Sequence, residues 1–308
     1  MKEDIARRKV KMKQKKIVSM IGALVLITSA LVLTTSCVTT NGGSSGKAEI
    51  AAEYVGSYEG ISSGEVSVLW KIKADEAGFI SGKFKQEGKI FLITGNIKKN
   101  GKFTAYTKVN DATYDITISG TVDKKSGTIF GTCKQGSKKG VLLGYKKAEN
   151  AEAVDDKLFS VWELKSVRVE KESFEIKYPL ETAIDESDSS KVMKSSAYFL
   201  FLENNELYNA VEISGVPNPS PVPNLSNGLF KSKQNYISAG EQIAICQDLM
   251  TMVGSFSITE SKLIIDGMMK IDFDDKEKPM KSKWTFEKVS KPTVDEIKKA
   301  PKPPVIQP

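Results

Sequence analysis

Residues 66–73 read Val-Ser-Val-Leu-Trp-Lys-Ile-Lys, with Val66, Val68, Trp70 and Ile72 on one parity and Ser67, Lys71 and Lys73 on the other. A period of two belongs to a strand with one buried face, because successive side chains point to opposite sides of a sheet. The same alternation continues from Glu53 to Lys147 in runs at 78–85, 89–98, 102–108, 113–122, 127–133 and 140–146. Turn chemistry separates them: Asp75-Glu76-Ala77-Gly78, Lys99-Asn100-Gly101 and Asp123 to Gly127. The expected unit is an antiparallel meander of about eight strands.

Glycine placement sharpens this reading. Gly82 shares the parity of Ile80 and Phe84, Gly95 that of Phe91 and Ile93, Gly120 that of Ile116 and Ile118, and Gly131 that of Ile129 and Cys133. Inward glycines let strands approach and bend, so this barrel should be small and filled by its own side chains.

The alternation stops at 149–157, an acidic stretch read as a linker, and resumes from 158 to about 290. Strands are expected at 158–169, at 198–202 and 206–213 around the Asn204-Asn205 turn, and at 254–258 and 263–266. A last pair is expected at 269–273 and 281–288. Trp162, Leu164, Phe256, Ile258, Ile271, Phe273, Trp284 and Phe286 stand on apolar parities, with few glycines inside these strands. They are the candidate lining of a site for a small lipophilic ligand, since large apolar walls with a polar rim suit such a molecule. The competing outcome is that the same side chains meet and fill the barrel.

Two resemblances add to this. Ser160-Val161-Trp162 resembles the Gly-x-Trp opening of lipocalin-like barrels, with Ser160 in place of the glycine. The Trp-bearing strand around Trp284, followed by Pro292-Thr293-Val294-Asp295-Glu296-Ile297, is similar to the close of small lipocalin-like domains of bacterial lipoproteins. The likeness implies a cup-shaped barrel and transfers no ligand. The expected fold is all-β: two tandem antiparallel meander β-barrels, a small filled one and then a lipocalin-like one, behind a lipoprotein signal peptide.

The leader gives an address. Arg7, Arg8, Lys9, Lys11, Lys13, Lys15 and Lys16 precede the uncharged stretch 17–36, the order of an export signal. Leu33-Thr34-Thr35-Ser36-Cys37 resembles the lipobox of bacterial lipoproteins, with Thr34 where that family usually carries an aliphatic residue. The resemblance implies cleavage before Cys37 and acylation of that cysteine. The alternative is an uncleaved anchor, for which about 20 apolar residues suffice. The expected division is signal peptide 1–36, lipidated tether 37–52, small barrel 53–148, linker 149–157, lipocalin-like barrel 158–290 and Pro-rich C-terminal tail 291–308. Localisation is expected to be exported and lipid-anchored in a bacterial envelope.

Composition narrows the chemistry. The 308 residues hold no histidine and three cysteines, Cys37, Cys133 and Cys246, which removes histidine bases, triads and His-ligated or multi-cysteine metal sites. Of the net charge of +7, residues 1–16 carry +6 and everything from Cys37 onward only +1, so it does not point to nucleic acid. Residues 51–148 carry 16 Lys against 9 acids, whereas 149–308 carry 20 Lys or Arg against 26 acids. The basic first barrel suits anionic head groups or acidic wall polymers, or else its lysines guard strand edges.

Gly46-Lys47 lacks the earlier glycine and the Ser or Thr of a phosphate loop. Asp272, Asp274, Asp275 and Glu277 lack the glycine and spaced Glu of an EF-hand, and read as a solvated face. Cys133, on an inward parity, reads as a buried hydrophobe, and a bond to Cys246 would need the two domains to bring Cα atoms within about 7 Å. Pro217, Pro219, Pro221 and Pro223 mark a long connection or a docking loop. The expectation is a binding or interaction module for a small lipophilic ligand or an envelope protein, with no catalysis, cofactor, metal or nucleic acid. A structural envelope protein with filled barrels is the alternative.

Overall fold

The structure is a computed structural model. It describes residues 50–303 apart from 87, 108–114, 152–153, 171–173, 186–187, 219, 221–225, 248–249 and 272–278. Cys37 with its leader, the tether up to residue 49, the acids at 272–277 and Pro219, Pro221 and Pro223 therefore lie outside the described residues.

The first barrel comprises β1 (Gly56–Gly64), β2 (Leu69–Ala74), β3 (Phe79–Gln86), β4 (Lys89–Ile97), β5 (Lys102–Thr107), β6 (Ile116–Val122), β7 (Ile129–Gln135) and β8 (Lys138–Lys146). Each strand pairs with the next, and β8 returns to β1, so the sheet closes. The meander follows from the turns. Asp123 Oδ1 accepts from the backbone N–H groups of Lys125 and Ser126 at 3.1 and 2.8 Å, and Gly127 takes the positive φ of +68° that completes the reversal. Val66 and Val68 are buried like Trp70, yet they precede β2: the Ser62 hydroxyl holds this connection by donating to Val66 O and accepting from Val68 N.

The interior of this barrel is shaped by its glycines. A Cβ at Gly60 would lie 2.1 Å from the Trp70 ring, and one at Gly144 2.4 Å from it, so the indole occupies the space that both residues leave. At Gly82, Gly95 and Gly131 a Cβ would come within 2.2, 2.1 and 2.0 Å of a carbonyl oxygen on the neighbouring strand. The expected small, filled barrel is the observed one.

The second barrel runs through β9 (Val161–Val169), β10 (Phe174–Lys177), β11 (Leu180–Asp185), β12 (Asp188–Phe201), β13 (Glu206–Ser214), β14 (Gly228–Ala239), β15 (Gln242–Cys246), β16 (Met250–Ile258), β17 (Lys262–Ile271) and β18 (Met280–Lys288). The first half of β9 pairs with β12 and closes an eight-stranded wall. Beyond that seam the two strands part, β10 pairing on β9 and β11 on β12. The runs expected separately at 263–266 and 269–273 join in β17, where Gly267 faces Gly254 of β16. A Cβ at Gly254 would stand 2.5 Å from the Gly267 Cα, so the two backbones approach closely there while the pairing runs on unbroken.

The barrels meet wall to wall. Ile61, Leu143 and Tyr145 from β1 and β8 form one buried cluster with Ile237, Ala244, Cys246 and Val253 from β14, β15 and β16. Both β8 and β15 are apolar on both faces because one face lines a barrel and the other meets its neighbour. Asn235 Nδ2 also donates across the junction to Ser67 Oγ at 3.1 Å. Past β18, helix α1 (Val294–Lys299) is set by a capping box, Thr293 and Glu296 satisfying each other's backbone N–H. Its Ile297 is buried against Val161, Tyr198, Leu200 and Ala210, so this part of the C-terminal segment is docked on the barrel wall.

Candidate functional site: the interior of the second barrel

Inward positions of the second barrel divide into two halves. The lower half, at the Leu158 end, is a finished apolar core. Phe199 meets Phe286 at 5.1 Å and Trp284 at 6.0 Å between ring centroids, and Phe201 meets Tyr236 at 5.0 Å, all edge to face. Such pairs add about 1 kcal/mol each beyond burial. Two polar atoms here are satisfied by the closing turns: Trp162 Nε1 donates to Leu158 O at 3.0 Å, and Tyr236 OH to Leu202 O at 2.7 Å. Burial pushes the Tyr236 hydroxyl well above its ordinary pKa, so it stays a neutral donor.

The upper half is differently made. Met193, Met252 and Met269 are buried there, and Met280 is half-buried. Ser282 Oγ donates weakly to Met252 Sδ at 3.5 Å, and Gln234 Nε2 donates to Ser232 Oγ at 3.3 Å. Five buried side-chain atoms among the described residues have no hydrogen-bond partner: Trp70 Nε1 and Tyr145 OH on the first barrel, and Trp284 Nε1, Asn209 Oδ1 and Gln247 Nε2 on the second. Register places Asn209 opposite inward Phe199, and Gln247 continues the inward parity of Ile243 and Ile245. Trp284 is 0% exposed and Gln247 3%. An unpaired buried donor or acceptor costs about 1–3 kcal/mol, and the second barrel carries three such atoms against one, Trp70 Nε1, inside the first. Methionine suits such a place because its unbranched, polarisable side chain repacks around different shapes.

Trp162, Leu164, Phe256, Trp284 and Phe286, chosen from parity, come together in this single cluster, with the half-buried Ile258 packed against it. Phe273 and the side chain of Ile271 lie outside the described residues. Sequence reasoning did not pick out Asn209, Gln234, Gln247 or the methionines. The signal existed for Gln234, which shares the parity of Phe230 and Tyr236 in β14, a strand left unassigned from the sequence.

Other features belong to surfaces. A cleft of about 670 Å³ lies between α1 and the barrel wall, where Tyr198 OH donates to Glu212 at 2.9 Å. A groove of about 950 Å³ runs between the β6–β7 turn of the first barrel and β16 and β17 of the second. Cys133 and Cys246 are not bonded to each other: Cys133 is inside the first barrel, whereas Cys246 faces the junction.

No family model matches the chain, and no curated protein matches it. Among solved structures, it is similar to the chain described as "The Structure of Intact Ap-TbpB (N and C lobes)", with 8% identity and a TM-score of 0.23. The match covers 72% of this chain and 66% of that one. An overlap at that level equates no individual residues, and the functional reading rests on this chain's own side chains.

Proposed function

We propose that this chain is an envelope lipoprotein, held to a membrane through acyl chains on Cys37, that works as a non-catalytic binding module. Its second barrel takes a small lipophilic molecule with one polar end. The carrying observation is the trio of partnerless buried atoms, Trp284 Nε1, Asn209 Oδ1 and Gln247 Nε2, in a barrel whose upper half holds methionine. An apolar ligand body would lie against the methionines and Trp284, and its polar end would complete the hydrogen bonds. The second reading, a structural protein with a protein partner, draws on the filled lower half of the barrel and on the groove between the barrels.

The test is titration of the full chain with fatty acids and lysophospholipids, followed by tryptophan fluorescence and by native mass spectrometry. Binding should alter the emission of Trp284. Trp284→Phe, which keeps ring bulk and loses the N–H, should weaken binding by about tenfold for one lost hydrogen bond. Absence of any bound lipid by both methods would leave the barrel as a scaffold and favour the second reading.

A further inference from the structure

The outer wall of the first barrel has one face unlike the rest. Outward positions on β2 to β5 include Lys73, Lys83, Lys85 and Lys102, and no Asp or Glu occupies an outward position on these four strands. Among the lysines stand four exposed apolar side chains: Leu92 at 70%, Ile90 at 65%, Tyr106 at 50% and, at the start of β3, Phe79 at 47%. Register puts Lys83 directly across from Leu92, Lys85 across from Ile90, and Tyr106 across from Thr94, two residues along from Leu92. No described carboxylate pairs with Lys73, Lys83 or Lys85 among the salt bridges.

The edge-guarding explanation for these lysines fails, because a closed barrel has no edge to guard. The exposed apolar positions on β4 and β5 also stand apart from the junction with the second barrel, which is built on β1 and β8 with Leu69 of β2 and Phe130 of β7 at its margin. Protein interfaces deplete lysine from their centres. Lipid interfaces favour aliphatic and aromatic side chains flanked by lysines whose stems lie along apolar surface while the ammonium reaches phosphate.

We propose that this face rests on an anionic lipid surface, with Ile90, Leu92 and Tyr106 among the head groups and Lys83 and Lys85 on their phosphates. Charge selects the orientation. Residues 51–148 hold 16 Lys against 9 acids and are drawn to the surface, while the acidic second barrel is turned away from it. The contact is separate from acylation of Cys37 and from any ligand in the second barrel, so it stands or falls independently of the proposed function.

The native tryptophans, Trp70, Trp162 and Trp284, are all fully buried, so a new surface tryptophan reports alone. The full-length Leu92→Trp variant should be quenched by acyl-brominated lipid in mixed phosphatidylglycerol and phosphatidylcholine vesicles. The expected quenching is at least about twofold greater than for Lys262→Trp on the second barrel. The difference should vanish in pure phosphatidylcholine, and also when Lys83→Glu and Lys85→Glu are added. Equal quenching at the two positions would overturn the proposal, as would quenching indifferent to lipid charge. An emission shift in Leu92→Trp that grows with protein concentration without vesicles would assign the face to a second copy, and would overturn it too.

Discussion

The first barrel carries glycine at inward Gly60, Gly82, Gly95, Gly120, Gly131 and Gly144, while the second has the facing pair Gly254 and Gly267. In the first, backbones approach so closely that a single indole, Trp70, fills the space between Gly60 and Gly144. In the second, rings do that work: Phe199, Trp284 and Phe286 reach one another at 5.1 to 6.2 Å. An interior set by the backbone has no room to adapt. One set by side chains can be finished at one end and left adaptable at the other, as Met193, Met252 and Met269 leave the upper half of the second barrel.

The comparison breaks most severely at Gly144. A leucine there would put Cβ 2.4 Å from the Trp70 ring and 2.6 Å from Glu59 O, and the backbone oxygen cannot turn aside. Gly144→Leu should therefore cost the first barrel at least about 3 kcal/mol, at the upper end of overpacking penalties. In denaturant melts the Trp70 transition should be lost or moved far down, while β-structure from the second barrel survives. An unchanged melt would show that the glycines do not set the barrel's size.

Leu143, one residue earlier, points the other way and tests what the barrels do for each other. It is fully buried in the junction with Ile237 and Val253. Leu143→Ala should cost about 3 kcal/mol of shared stability and divide one melting transition into two. Cys246, buried at the same junction, should then react faster with a thiol reagent while Cys133 remains protected. A single transition with Cys246 still protected would mean that the contact does not couple the two folds.

These neighbouring residues also show where the sequence was readable. Alternation marks a strand with one wet face, so the first barrel was legible from Trp70, Ile72, Ile80 and Phe84, and its glycines from their parity. The junction was not read as such, because Val141-Leu142-Leu143 and Ile243-Ala244-Ile245 are apolar on both faces and lose the period of two. Such runs signal burial from both sides, but a sequence does not name the partner surface. The candidate site divided in the same way. Its aromatic lower half followed from parity at Trp162, Trp284 and Phe286, whereas β10 and β11 are short, with pairings that depend on where β9 and β12 part. Asn209 and Gln247 were missed because a polar residue at an inward position looks, in sequence, like a solvent-facing one.

The smallest expected effect concerns how dry the first barrel is compared with the junction. Cys133 is 0% exposed on the inner face of β7, and burial pushes its thiol from the usual 9.0 up to about 11, against a smaller opposing effect of a hydrogen bond with Ser62. Burial disfavours the thiolate in the folded state and not in the unfolded one. Because the folded pKa is the higher, the stabilising contribution is complete below pH 9.0 and is lost as pH climbs from there through about 11. At pH 10 the loss should be on the order of 1 kcal/mol, since one pKa unit corresponds to 1.36 kcal/mol. Tyrosines and lysines titrate in the same window, so the informative quantity is a difference between proteins. Denaturant stability of the wild type should fall from pH 8 to pH 10 by about 1 kcal/mol more than that of Cys133→Ala, which lacks the titrating group. Equal slopes in the two proteins would mean that the thiolate is solvated where it stands, and that the interior of the first barrel is wetter than its glycines and Trp70 imply.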